Sequence, residues 1–298
     1  MPIEIRCVGD TKDQLGESPL WHDGEQCVYW VDNTKPAMHR YDPATGALRS
    51  WAMPYEIGSI GLRERGGFVA GMKKGFGFID LPSGEPSPVV NPESHLVDHR
   101  MNDGKVDHKG RFWCGSMNIK FVENYKPTAS LYRFDPDGSC HLMEENVIVN
   151  NGIAWSPDNK TMYRSDSSGK IVWAYDFDLE DGAISNRRVF IDARNLPSNS
   201  GKVDGAAMDT DGCYWAALVY DGLIARYTPA GKVDRVYRMP VSNPTMPAFG
   251  GKNFDVMYVT SATKMLNGWQ REVQAMEGGL LEIRGLGVQG FAEPRFSG

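Results

Sequence analysis

One pattern recurs six times along the chain and restricts what it can fold into. Glu17-Ser-Pro-Leu-Trp21 runs through a turn at His22-Asp-Gly24 into the strand-like Cys27-Val-Tyr-Trp-Val-Asp32. The same order returns in Asn102–Val106 with Asp107–Gly110 and Phe112–Ser116, in Asn151–Trp155 with Ser156–Asn159 and Met162–Asp166, and in Asp204–Met208 with Asp209–Gly212 and Tyr214–Leu218. Weaker copies are Ile60-Gly-Leu62 before Phe68–Gly71 and Pro247-Ala-Phe249 before Met257–Thr260. The residues before each turn are 21, 62, 106, 155, 208 and 249, at intervals of 41 to 53 residues.

Each unit continues into a third strand, such as Leu131–Phe134 or Ile224–Tyr227, and a fourth, such as Arg188–Ile191 or Arg235–Arg238. Four strands per 41 to 53 residues, six times over, is the signature of a β-propeller. Asp-Gly and Pro-Asp-Gly turns supply the backbone conformations tight hairpins need. The 33 glycines among 298 residues, about 11 % against a usual ~7 %, belong to those turns. The pattern predicts one all-β domain over residues 1–298: a six-bladed propeller of four antiparallel strands per blade around a central channel, with helix under about 10 %. The strand Ile3–Cys7 is expected to complete the last blade beside Gly279–Arg284.

Charge and cysteine usage exclude several classes. A formal net charge of −6 offers no footprint for nucleic acid or an anionic membrane. No apolar run approaches a membrane span, and Met1–Cys7 lacks the basic and apolar regions of a secretory signal. The five cysteines (7, 27, 114, 140 and 213) contain no Cys-x-x-Cys pair, so free thiols in a reducing, cytoplasmic setting are expected.

The repeat also converts sequence into geometry. Four residues before each anchor stand Glu17, Gly58, Asn102, Asn151, Asp204 and Thr245. In a propeller these equivalent positions face one axis, so two carboxylates and two amides converge. All-oxygen donors of that charge suit a hard divalent cation such as Ca²⁺, Mg²⁺ or Mn²⁺, with Zn²⁺ or Fe²⁺ compatible. The plainer alternative makes each Asn or Asp before Gly a turn or strand-start residue; a shared phase for Glu17, Asn151 and Asp204 favours the site.

Rival chemistry is weaker. The six histidines form no cluster, and His99 beside Arg100 reads as a loop or turn residue. Ser18 and Ser116 lack the Gly-x-Ser-x-Gly elbow. Gly71–Gly77 lacks the Gly-Lys-Ser/Thr of a phosphate loop and reads as a hairpin connection. Trp21, Trp155 and Met208 read as core.

Glu17-Ser-Pro-Leu-Trp, Arg100-Met-Asn-Asp-Gly-Lys-Val-Asp107, Asn151-Gly-Ile-Ala-Trp-Ser-Pro-Asp158, Asp204-Gly-Ala-Ala-Met-Asp and Phe249-Gly-Gly-Lys-Asn, in this order, resemble the senescence marker protein/gluconolactonase/regucalcin-like family of sugar lactonases. The likeness runs from about residue 15 to 290. It implies one divalent metal on the axis and hydrolysis of sugar-acid lactones such as glucono-, arabinono-, xylono- or galactonolactone. Position by position, it implies Glu17, Asn151 and Asp204 as metal ligands, and Arg100 and Asn102 as substrate contacts. Asp204 is also the expected general base. One departure stands at Asn118-Ile-Lys120, where some members carry an acidic residue near the substrate; Lys120 is expected on an exposed loop. The expected partner is a small sugar lactone, with the protein a monomer or weak homo-oligomer. Two other functions compete: a metal-dependent esterase or phosphotriesterase-like hydrolase on the same fold, and a non-enzymatic calcium-binding protein.

Overall fold

The computed structural model describes residues 2–120, 126–195, 201–264 and 274–298. The aromatic and β-branched runs between turns form six four-stranded antiparallel sheets. The first is β2 (Gly16–His22), β3 (Cys27–Asp32), β4 (Ala37–Asp42) and β5 (Ala47–Ala52); the second is β6 (Ile57–Leu62), β7 (Phe68–Met72), β8 (Gly75–Ile79) and β9 (Pro86–Val90). The third is β10 (His99–Val106), β11 (Phe112–Asn118), β12 (Ala129–Phe134) and β13 (Cys140–Val147). The fourth is β14 (Asn150–Trp155), β15 (Thr161–Asp166), β16 (Ile171–Phe177) and β17 (Ile184–Asp192). The fifth is β18 (Val203–Met208), β19 (Tyr214–Leu218), β20 (Leu223–Tyr227) and β21 (Val233–Arg238). The sixth joins β22 (Pro244–Gly250), β23 (Val256–Ser261) and β24 (Leu280–Arg284) to β1 (Glu4–Gly9).

Inner strands β2, β6, β10, β14, β18 and β22 neighbour one another around a ring, which makes the six sheets the blades of a propeller. The helical content among the described residues is one 3-10 turn at Ala193–Asn195. Closure is as expected from the sequence: Glu4 pairs with Arg284, Ile5 with Ile283 and Arg6 with Glu282. Gly71–Gly77 is the hairpin between β7 and β8, with Met72 paired to Gly75. No helix among the described residues is long and apolar enough to cross a membrane. All five cysteines are free thiols.

Burial falls from axis to rim. Strands β6, β14, β18 and β22 are buried at every residue, whereas β5 and β21 are almost wholly exposed. The apolar core is divided: a separate cluster fills each of the six clefts between neighbouring blades. Trp21 stacks on Tyr258 at 5.7 Å between blades six and one, and Trp155 packs against Trp113 at 6.1 Å between blades three and four. Truncating either would cost about 3–5 kcal/mol. These residues are packing anchors, as is Met208.

The inner strands run from an upper face, where the chain enters them, to a lower one. Lower turns are locked by buried aspartates. Asp107 accepts Arg111 Nε at 2.7 Å and Trp113 Nε1 at 2.8 Å; Asp209 accepts Arg226 Nε at 2.7 Å and Trp215 Nε1 at 2.8 Å. Beyond β24 the chain crosses this lower face. Thr210 N–H donates to Gln289 O, Lys105 pairs with Glu293 at 2.8 Å, and Phe296, fully buried, stacks on Phe134 at 5.5 Å. Phe291, Glu293 and Pro294 line a cavity with Ala154, Met208 and Phe249, at the lower ends of inner strands. The tail therefore lies across the lower end of the channel.

Candidate active site

Strict alternation would send every second inner-strand residue away from a given neighbour. Here each inner strand breaks register near its upper end. The shifts fall between Glu17 and Leu20, Ile57 and Ser59, Met101 and Gly104, Asn151 and Ala154, Val203 and Ala206, and Pro244 and Pro247. The six positions selected by the repeat lie at or within these six bulges. A bulge leaves a residue unpaired and re-aims its side chain, and such bulges gather beside active sites. The Asn-Gly and Asp-Gly pairs are therefore bulge residues inside strands. Gly152 has φ +59°, and a Cβ there would stand 2.3 Å from the Tyr214 hydroxyl. A Cβ on Gly205 would meet Met246 Cβ at 2.4 Å. Ser18 takes φ 51°, and its Oγ accepts the Ile60 N–H at 2.9 Å, tying β2 to β6 behind Glu17.

The site residues form a connected polar group. Asn102 Nδ2 donates to Asn151 Oδ1 at 2.8 Å, and Arg100 Nη1 donates to Asn102 Oδ1 at 2.7 Å and Met101 O at 2.9 Å. Asn151 Nδ2 donates to Ser167 Oγ at 2.8 Å, while its Oδ1 accepts from Asn102. Nε and Nη2 of Arg100 donate to nothing among the described residues. Asn102 uses both ends of its amide, which also donates to Asn150 O at 2.7 Å, to join Arg100 to Asn151.

Glu17 and Asp204 differ from the buried carboxylates of the lower turns, Asp107 and Asp209. Neither enters a side-chain hydrogen bond or an ion pair with a side chain among the described residues. Burial, followed by the charges of Asp204 and Asp103, pushes the Glu17 carboxyl well above the usual range, and Arg100 offsets only part of this. Burial, then Asp103, raises Asp204 likewise against the pull of Lys202 and Arg100. Burial lowers the Arg100 guanidinium from its ordinary value despite Glu17 and Glu56 nearby. Asp103, a carboxylate that the repeat did not single out, contributes to both shifts; its Oδ2 accepts the Ile153 N–H at 3.1 Å and its Oδ1 is buried without a partner. Its only sequence signal is its place next to Asn102, inside the same bulge.

Other sequence-derived assignments sort clearly. His99 opens β10 and is buried, a strand residue instead of the expected loop one. Its Nδ1 bonds Glu93 Oε2 at 2.9 Å and its Nε2 bonds Thr128 Oγ1 at 3.1 Å. Ser116 Oγ and Tyr132 OH donate to the other Glu93 oxygen, at 2.7 and 3.1 Å. This saturated hub fixes the strand end that carries Arg100, and employs Ser116 structurally. Lys120 is exposed and paired with Asp98 at 3.1 Å, as a loop residue. Lys202, two residues before Asp204, had no role in the sequence pattern.

Two buried, uncompensated carboxylates beside an amide oxygen form the donor set that a hard divalent cation neutralises, so the residues present fit such an ion. The comparisons with known proteins agree with the architecture. Residues 15–263 match the SMP-30/gluconolactonase/LRE-like region family. The chain is 33 % identical over 294 residues to 6-deoxy-6-sulfogluconolactonase of Pseudomonas putida, covering 99 % of each. It is 34 % identical over 299 residues to regucalcin of Xenopus laevis, again covering 99 % of each. A solved calcium-binding protein, regucalcin, from Agrobacterium tumefaciens superposes with a TM-score of 0.91 at 25 % identity, over 99 % of this chain and 98 % of that one.

Proposed function

From the premise that the chain belongs to the SMP-30/gluconolactonase/LRE-like family, we propose that it is a divalent-metal-dependent hydrolase of sugar-acid lactones. The observation that carries this reading is the place of Glu17, Asn151 and Asp204 at equivalent bulges, with neither carboxylate in an ion pair among the described residues. A divalent ion held by these three residues would supply Lewis acidity toward the lactone carbonyl and toward water. Asp204 would also take the proton of the attacking water, within its reach where its bond to the ion is monodentate. Arg100 aims its uncommitted guanidinium N–H groups at the ring oxygen or hydroxyls of the sugar, an arrangement suited to a polyol and ill-suited to an apolar ester. Asn102 keeps that fork and the Asn151 amide in register. The Pseudomonas putida relative, whose name gives a sulfonated gluconolactone as substrate, supports an aldonolactone ring.

A panel of aldonolactones, assayed by acid release, tests the proposal. Hydrolysis should disappear with chelator and return on adding one of Ca²⁺, Mg²⁺, Mn²⁺, Zn²⁺ or Fe²⁺. Metal binding without hydrolysis of any lactone would favour the non-enzymatic calcium-binding role, and hydrolysis of phosphotriesters alone the second enzymatic one.

A further inference from the structure

Residues 91–98 join β9 to β10, and one buried carboxylate in this connection organises the start of the strand that carries Arg100 and Asn102. Glu93 Oε2 bonds the His99 ring at Nδ1, while Oε1 accepts Ser116 Oγ and Tyr132 OH, so a single side chain ties β10, β11 and β12 together. A buried carboxylate with this many partners holds them in one arrangement, because losing it would orphan several polar groups at once.

Two routes lead from Glu93 to Arg100. The first runs through His99. Its ring is held by Glu93 and Thr128 Oγ1, and its carbonyl accepts Lys73 Nζ at 3.0 Å, the same ammonium that bonds Val97 O at 2.7 Å. His99 and Arg100 keep regular register with Asn118 and Met117 of β11. Successive strand residues point to opposite faces, so anchoring the His99 ring on one face fixes the backbone from which Arg100 leaves on the other. The second route runs through Ser116, whose Oγ also accepts the Ser130 N–H at 2.9 Å. Asn150 Nδ2 donates to the carbonyls of Ser116 and Ser130 at 3.0 and 3.1 Å, and the Asn150 carbonyl accepts Asn102 Nδ2 at 2.7 Å. Asn102 Oδ1 then holds Arg100 Nη1. The backbone that carries Arg100 and the amide that orients its guanidinium are therefore set by the same carboxylate.

We propose that Glu93 is a positioning residue for substrate recognition: it sets the place and orientation of Arg100 and Asn102 without itself touching the ligand. The inference rests on the reading of Arg100 as a contact for a sugar lactone or its acid. Calorimetric binding of gluconate to the Mn²⁺-loaded protein tests it without turnover. Glu93→Ala should weaken gluconate at least about tenfold in an otherwise unchanged chain, since small displacements of such a contact are costly. In an Arg100→Met chain the same substitution should cost less than about twofold, because a residue acting through Arg100 has nothing left to position. Glu93→Gln keeps an oxygen for Ser116 and Tyr132, and its NH2 donates to His99 Nδ1 once the ring proton sits on Nε2; affinity should stay within about threefold of the wild type. If Glu93→Ala does not fold, Ser116→Ala is carried through the same cycle and decides. Equal weakening in both backgrounds, or a loss in Glu93→Gln as large as in Glu93→Ala, overturns the positioning role. So does a gluconate affinity that Arg100→Met leaves unchanged, whatever the lactone panel shows. If the cycle behaves as expected while no lactone is hydrolysed, the positioning role stands and the reading of the reaction falls.

Discussion

Asp204 and Asp209 lie five residues apart in one blade, both almost completely buried, and they live in opposite electrostatic worlds. Asp209 receives an arginine, an indole N–H and backbone N–H groups of Asp211 and Cys213, so its charge is spent within the protein. Asp204, at the other end of β18, receives no such donors among the described residues and has its carboxyl pushed up by burial and Asp103. A buried ion is tolerated when partners satisfy it and is costly when they do not. The lower-turn carboxylate serves stability; the upper one has no comparable set of partners among the described residues.

The largest effect expected from this contrast is on Asp204. Asp204→Asn should lower kcat/KM for lactone by about a thousandfold, within the usual contribution of a general base, while elemental analysis shows weakened metal retention. The fold should persist. Its metal-free stability should also respond less to pH than the wild type. A carboxyl raised in the folded state binds its proton more tightly there than in the unfolded chain. Wild-type stability without metal therefore falls as pH rises from about 4 toward the raised folded value and levels off above it. Thermal melts across that range should show a shallower slope in Asp204→Asn, with the remainder due to Glu17. Wild-type turnover in a metal-loaded Asp204→Asn protein would pass the base role to Glu17.

Asp209→Ala should invert the pattern. Leaving Arg226 and Trp215 Nε1 without this partner is expected to cost about 3–5 kcal/mol in urea unfolding, with kcat/KM little changed below the melting range. A loss of activity without a loss of stability would erase the distinction between the two ends of the strand.

The smallest effect concerns the residue between the two classes. Asn102→Ala deletes the link from Arg100 to Asn151, worth roughly 1–3 kcal/mol, or about ten- to a hundredfold in kcat/KM. The rise should fall mainly on KM, with metal still bound. If metal is lost instead, Asn102 joins the ligands.

The propeller was legible because each blade repeats a turn whose chemistry is local. Asp107 and Asp209, for instance, announce the lower turns through the Gly and Trp that follow them. The phase of Glu17, Asn151 and Asp204 was legible for the same reason. What alternation conceals is the bulge: register shifts arise from pairing with the next strand, so Asp103 was assigned nothing although it is buried beside Asn102. Glu93 and His99 escaped because their partnership depends on Ser116, Thr128 and Tyr132, which meet only in the folded blade. Lys202 lies outside the repeat, and its place 5.5 Å from the Tyr220 ring centroid arises only in the folded blade. The segment after β24 carries no repeat, and its contacts with Leu62, Thr210 and Lys105 are all distant in sequence.

That last segment covers the lower end of the channel among the described residues. With Phe291, Glu293 and Pro294 across the lower end, the water, lactone and acid of the proposed reaction would share the upper doorway. On the proposed reaction, each ring opening would create a carboxylate in this space, where departing product meets arriving reactant. Traffic through that doorway, and retention of the acid by its own new charge, becomes a determinant of turnover separate from the bond-breaking chemistry.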